Sequence, residues 1–116
     1  MMYELHLGLS VSTPEDDATL STHLEEVAEA LAAQELGNEA LLDFSLGADL
    51  AARTVEIEVT VDASSPEQAA AEGFSWIRAA IHATGASTPN WEAAPVAAGL
   101  VEFRLDRAST KPLIEA

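Results

Sequence analysis

Apolar side chains fall on alternate residues from Tyr3 to Val11 (Tyr3, Leu5, Leu7, Leu9, Val11), with Glu4, His6, Gly8 and Ser10 between them. A period of two is that of a strand with one face buried and the other wet. The pattern is cleanest from Thr54 to Asp62, where Val55, Ile57, Val59 and Val61 alternate with Thr54, Glu56, Glu58 and Thr60. The β-branched content of that segment suits a pleated surface. Ala40 to Leu46 predicts a further strand, with Leu42, Phe44 and Leu46 on one side and Asp43 and Ser45 on the other, although Leu41 interrupts the alternation. Gly99 to Arg107 predicts the last strand, with Val101, Phe103 and Leu105 facing one way and Leu100, Glu102, Arg104 and Asp106 the other.

Two segments carry the longer period of a helix. Thr13-Pro14-Glu15-Asp16 supplies a capping hydroxyl, a proline suited to the first helical position and two carboxylates for the positive end of the helix dipole. Leu20, Leu24, Val27 and Leu31 then recur as one stripe, and Gly37 reads as a C-cap, so a helix is predicted to about Leu36. Ser65-Pro66-Glu67-Gln68 repeats the start signal as a capping box. Ala69, Ala70, Gly73, Trp76, Ile77, Ala80 and Ile81 follow on one broad face, with Ser75, Arg78 and His82 away from it, and the helix is predicted to end near Gly85. The stretch from Ala86 to Ala98, with Pro89, Trp91 and Pro95, is too broken for a helix, and Ala108 to Ala116 reads as a tail around Pro112.

The predicted order is β, α, β, β, α, β. Leu9-Ser10-Val11 leading to Thr13-Pro14-Glu15 resembles Val59-Thr60-Val61 leading to Ser65-Pro66-Glu67, so each half has a strand that feeds a proline-initiated helix. One apolar face per strand and one apolar stripe per helix fit a four-stranded antiparallel sheet covered by two helices on one face. The expectation is an α+β, ferredoxin-like βαββαβ domain over residues 1–107, in the strand order 4-1-3-2, with a C-terminal tail at 108–116. A chain of 116 residues suits one such domain. The fold itself hosts many unrelated functions and says little about chemistry.

Charge changes the picture next. Twenty Asp and Glu against five Lys and Arg give a formal net charge of −15. With nearly half the residues apolar and periodic, that charge belongs on the surface, where it repels phosphate backbones and anionic headgroups. Neither direct nucleic-acid binding nor membrane binding is expected. The chain has no cysteine, which removes disulfides, thiolate nucleophiles and Cys-based metal sites. Its N-terminus has no basic region, and Glu4 and His6 break the apolar run, so neither a signal peptide nor a span is predicted and a cytoplasmic location is expected. No cofactor and no metal are called for by any motif.

The wet face of the predicted sheet is the most informative surface. It would array Glu102, Arg104 and Asp106 beside Glu4, His6 and Ser10, then Glu56, Glu58 and Thr60, then Asp43 and Ser45. So much charge counts against a large dry cavity, and the face lacks the exposed aromatics and basic residues of an RNA platform. His6 among acids has the residue types of a proton-transfer pair or a weak metal site, without a strict ligand spacing. A second group, Trp76, Trp91, Leu113 and Ile114, is a candidate interface. Trp76 is a large knob on the small-residue face of the second helix, where core packing is the plainer reading, and Trp91 is a lid over that helix or else an exposed anchor for a partner. Leu113 and Ile114 are isolated apolar residues that could dock onto this chain or a neighbour.

These readings favour a non-catalytic protein-interaction or assembly module, self-associating or presenting its acidic face to a basic protein partner. One alternative is an acidic inhibitor or DNA mimic that binds a basic partner by its charge. Another is a small-molecule-binding protein or enzyme of the dimeric α/β-barrel type, with a pocket between the sheet and the Trp91 connection and His6 or Glu58 as acid or base.

Overall fold

The two periods in the sequence become six elements. A computed structural model describes residues 1–86 and 102–113. The elements are β1 (Met2–Ser12), α1 (Asp17–Gly37), β2 (Leu41–Asp49), β3 (Thr54–Asp62), α2 (Pro66–Ala83) and β4 (Glu102–Pro112). The strands form one four-stranded sheet in the order β2-β3-β1-β4, and every neighbouring pair is antiparallel. This is the ferredoxin-like α+β fold, with both helices on one face of the sheet. Trp91, Ile114 and the start of the predicted last strand, from Gly99 to Val101, lie outside the described residues.

The core forms where the apolar face of the sheet meets the apolar stripes of the helices. Leu5, Leu7 and Leu9 of β1 and Val55, Ile57, Val59 and Val61 of β3 are buried there, against Leu20, Leu24, Val27 and Leu31 of α1 and Trp76, Ile77 and Ile81 of α2. Trp76 is 2% exposed; its indole Nε1–H donates to the Leu31 carbonyl at 3.0 Å, and its ring meets Phe44 edge-on. The candidate interface is corrected at this residue. The indole is spent on joining α2 to α1 and β2, and it offers no surface to a partner.

Three local differences from the sequence-based elements have physical reasons. Asp16, not Thr13, caps α1, with Oδ1 accepting from the Thr19 N–H at 2.8 Å. The Thr13 hydroxyl accepts from the Glu15 N–H instead, in a short turn that precedes the helix. In β2 the register slips between Leu41 and Asp43. Leu41 is therefore buried opposite Val61 while Leu42, the extra residue of a bulge, is 37% exposed. The interruption in the alternation was the trace of that bulge, and Leu42 does not join Phe44 and Leu46. In β4 a second slip falls opposite Gly8 and Leu9, and pairing with β1 continues to Pro112 opposite Tyr3. Residues 108–112 are strand rather than tail, and the Leu113 N–H donates to the Met2 carbonyl just beyond.

The start of α2 follows its sequence signal closely. Ser65 Oγ accepts from the Gln68 N–H at 3.1 Å, while Gln68 Oε1 accepts from the Ser64 N–H at 3.0 Å, one residue before the cap. Among the described residues no helix is long and apolar enough to cross a membrane.

Candidate functional site

The helix-free face of the sheet is where side chains without a core function meet. The bulge in β4 decides which of its residues reach that face. Up to the slip, Phe103 and Leu105 oppose Val11 and Leu9 of the core, and beyond it Arg107, Ser109 and Lys111 oppose Gly8, His6 and Glu4 of β1. Asp106 is the inserted residue and takes a hydrogen bond from the Ser10 hydroxyl.

One cross-strand row stands out by what it lacks. Arg107 of β4 opposes Gly8 of β1, Gly8 opposes Glu56 of β3, and Glu56 opposes Gly47 of β2. Two of these positions have no side chain, and the sheet is hollowed there. The resulting cavity measures about 470 Å³ and is bounded by Gly8, Gly47, Asp49, Glu56, Asp106 and Arg107, among others. Small-molecule sites usually span about 300–1,000 Å³.

The two glycines do different work. A Cβ at Gly8 would stand 2.8 Å from Arg107 Nε, 2.9 Å from Nη2 and 3.2 Å from Cζ, so the guanidinium occupies the space a side chain would fill. From there Arg107 Nη2 donates to Glu56 Oε1 at 2.9 Å. The Arg107 side chain thus spans β1 and ties β4 to β3. At Gly47 a Cβ would meet no atom within 4 Å, which leaves that end of the hollow open.

The next rows carry His6 and Glu4. His6 Nδ1 faces Glu58 Oε1 at 3.5 Å, and Nε2 faces Glu56 Oε2 at 3.8 Å. Both separations exceed a good hydrogen bond. Nε2 is shielded from solvent and has no hydrogen-bond partner among the described residues. Glu4 lies 3.5 Å from Lys111 Nζ. Among the described residues no three His, Asp or Glu side chains converge as metal ligands would.

Of the residues picked out on the wet face, the structure brings Glu56 and Asp106 to the recess, with His6 and Glu58 beside it. Glu4 lies two residues further along β1. Arg104 opposes Ser10 and Glu102 opposes Ser12 at the far end of β4, and neither bounds the recess. Gly8, Gly47 and Arg107 were missing from the sequence-based grid. Glycine within an otherwise clean strand marks a close approach or a gap, and that signal was present at Gly8. Arg107 was hidden by the bulge, because unbroken alternation turns it to the opposite face.

A second, apolar groove of about 410 Å³ runs between α1 and the edge strand β2, where Leu24, Ala28, Phe44, Leu46 and Leu50 are among its lining. Its walls are mainly aliphatic and aromatic, with Ser21 and Glu25 at the α1 side, and bring no titratable pair together.

No family model matches the chain. No curated protein matches it either. Among solved structures it is similar to a protein from Chloroflexus aurantiacus J-10-fl provisionally described as an antibiotic biosynthesis monooxygenase, at 19% identity and a TM-score of 0.49, covering 100% of this chain and 96% of that one. The expectation of a non-catalytic interaction or assembly module is corrected at this point. The polar sheet face that suggested a docking surface is hollowed into a recess of ligand size.

Proposed function

We propose that the protein binds a small organic molecule in the recess over Gly8 and Gly47, as a small-molecule-binding protein or an enzyme. The observation that carries this reading is the pairing of two side-chain-free positions in one cross-strand row. A polar sheet face normally fills such a row with four side chains, and here a guanidinium and a carboxylate stand over a floor of backbone. Arg107 gives the recess a donor group and Asp49, Glu56 and Asp106 give it acceptors, which suits a ligand with a polar end. For an enzyme, Glu56 is the group placed to exchange a proton with the ligand, because it faces both the recess and His6.

The test begins with thermal melts of the protein against a broad panel of metabolites, followed by the variant Gly47→Leu. A ligand at one hundred times its Kd adds about 2.7 kcal/mol of stability, well within reach of a melt. Since a side chain at position 47 enters open space, the variant should fold with an unchanged melting temperature and lose the ligand-induced shift. A ligand whose shift survives in Gly47→Leu binds elsewhere and overturns the assignment, as does a panel that moves no melt.

A further inference from the structure

The open end of the recess, over Gly47, is walled by carboxylates and hydroxyls. On β2 the neighbours of Gly47 on the helix-free face are Ser45 and Asp49, and across on β3 stands Glu56, flanked by Thr54 and Glu58. β2 is an edge strand, so no further strand closes the far side. Two hollows join here. Asp49, Thr54 and Glu56 line the recess of about 470 Å³, and Ser45, Glu56 and Glu58 line a smaller one of about 270 Å³, with Gly47 common to both.

The hydrogen bonds already made leave acceptors unused at this end. Asp49 Oδ1 accepts from the Ala52 N–H at 3.0 Å, and its other oxygen takes no hydrogen bond from the described residues. Glu56 gives Oε1 to Arg107, while Oε2 stands 3.8 Å from His6, beyond good hydrogen-bond distance. Glu58 Oε1 is 3.5 Å from the same ring. Among the described residues Arg107 is the one Lys or Arg lining either hollow, and its guanidinium lies over Gly8 rather than Gly47. A carboxylate only accepts, whereas an ammonium only donates, through three N–H groups. An anion entering over Gly47 would meet three carboxylates, and a neutral hydroxyl would satisfy one acceptor at most.

We infer that the recess takes an organic amine, with its ammonium seated over Gly47 between Asp49 and Glu56 and its uncharged body toward Arg107. This deepens the reading of the recess as a ligand site and rests on it. Gly47 and Gly8 are two strand spacings apart, roughly 10 Å, which is room for one ring and a short chain. The whole molecule acts in the same direction, because a net charge of −15 draws cations toward the surface.

The test uses three probes that share one skeleton: phenethylamine, phenethyl alcohol and phenylacetate. Carbon-detected NMR of the full chain follows Gly47 Cα and the Asp49 and Glu56 carboxyl carbons at about pH 8, above the range in which histidine side chains change charge. Millimolar phenethylamine is expected to move all three signals saturably, and the other two probes to leave them in place. Asp49→Asn keeps the oxygen that accepts from Ala52 but not the charge, and should weaken the amine by about threefold or more, read at Glu56. In Gly47→Leu the response of Asp49 and Glu56 should vanish. A response that survives Gly47→Leu means that the amine gathers on the acidic surface at large, and it overturns the inference. An Asp49→Asn affinity equal to the parent's does so too. If phenylacetate or phenethyl alcohol moves the same signals as strongly, the recess binds ligands without selecting a cation, so the amine assignment fails while the ligand site stands. Silence from all three probes also overturns the amine, and the broad melt panel then judges the recess by itself.

Discussion

Two glycines show how the same missing atom has opposite consequences in different surroundings. A Cβ at Gly73 in α2 would stand 2.5 Å from Leu5 Cδ2, 3.2 Å from Leu5 Cβ and 3.3 Å from Val59 Cγ2. Leu5 is 0% exposed and has nowhere to retreat. Alanine gains about 1 kcal/mol over glycine in a helix interior, while overpacking a tight core costs about 1–3 kcal/mol. The core term wins, so Gly73→Ala should lose about 1 kcal/mol and melt about 4 °C lower. At Gly8 the obstructing atoms belong to Arg107, whose side chain is 72% exposed and can swing away. An exposed ion pair contributes about 0–1 kcal/mol. Gly8→Ala should therefore melt within about 2 °C of the parent yet lose the Arg107–Glu56 contact, visible as a shift of Arg107 Nε. A large drop in melting temperature for Gly8→Ala would show that the guanidinium is held more firmly than its exposure implies. Both glycines were plain in the sequence, but their roles depend on which atoms face them across the fold, and alternation alone does not supply that.

The elements that carry a single clean period were legible from it. β3 runs from Thr54 to Asp62 as the alternation predicts, and α2 starts at Pro66 behind its Ser65 cap. What the sequence blurred are the places where a strand takes an extra residue, and the start of α1, where a residue read as a dipole carboxylate is the cap. A bulge at Leu42 and another at Asp106 each shift the later residues to the other face, so Arg107 turned up in the recess against its expected parity. At α1, Thr13 and Asp16 both have capping side chains and both precede carboxylates. Asp16 takes the role, and its carboxyl is held below the ordinary 3.8 mainly by hydrogen bonds from the Thr19 backbone and side chain. A carboxylate whose pKa is depressed on folding adds stability that is complete above its unfolded pKa and is lost as pH falls through the folded value. Asp16→Ala should thus melt below the parent at neutral pH, and the gap should close as pH drops below about 3.8. A gap that stays constant down to low pH would place the loss in something other than the charged cap. His82, in the last turn of α2, is pushed below 6.5 by burial first and by Arg78 second. The unfolded chain then binds the proton more readily, so this residue withdraws stability as pH falls through 6.5, and His82→Gln should flatten the melting curve's pH dependence there.

On the scale of the whole molecule the dominant fact is self-repulsion. A net charge of −15 sits on a body whose principal extents are 43 × 29 × 26 Å. At 0.01 M salt the Debye length is about 30 Å, so nearly every carboxylate feels every other; at 0.15 M it falls to about 8 Å, and only near neighbours interact. Repulsion of this kind favours the expanded chain over the folded one. The melting temperature at neutral pH should therefore rise between these two salt concentrations. The local ion pairs oppose that trend, since salt also weakens Arg107–Glu56 and Lys111–Glu4, but the first is exposed, the second has an exposed lysine and a half-buried glutamate, and such surface pairs are worth little. A second pH separates the two contributions. Near the sequence pI of about 4.2 the carboxylates are partly protonated and the net charge is close to zero. If self-repulsion is the cause, the salt-induced gain should largely disappear there. A gain of equal size at both pH values would instead mean that salt acts through apolar burial or ion binding, and the −15 charge would then bear on solubility and on which ligands approach the recess, rather than on the stability of the fold.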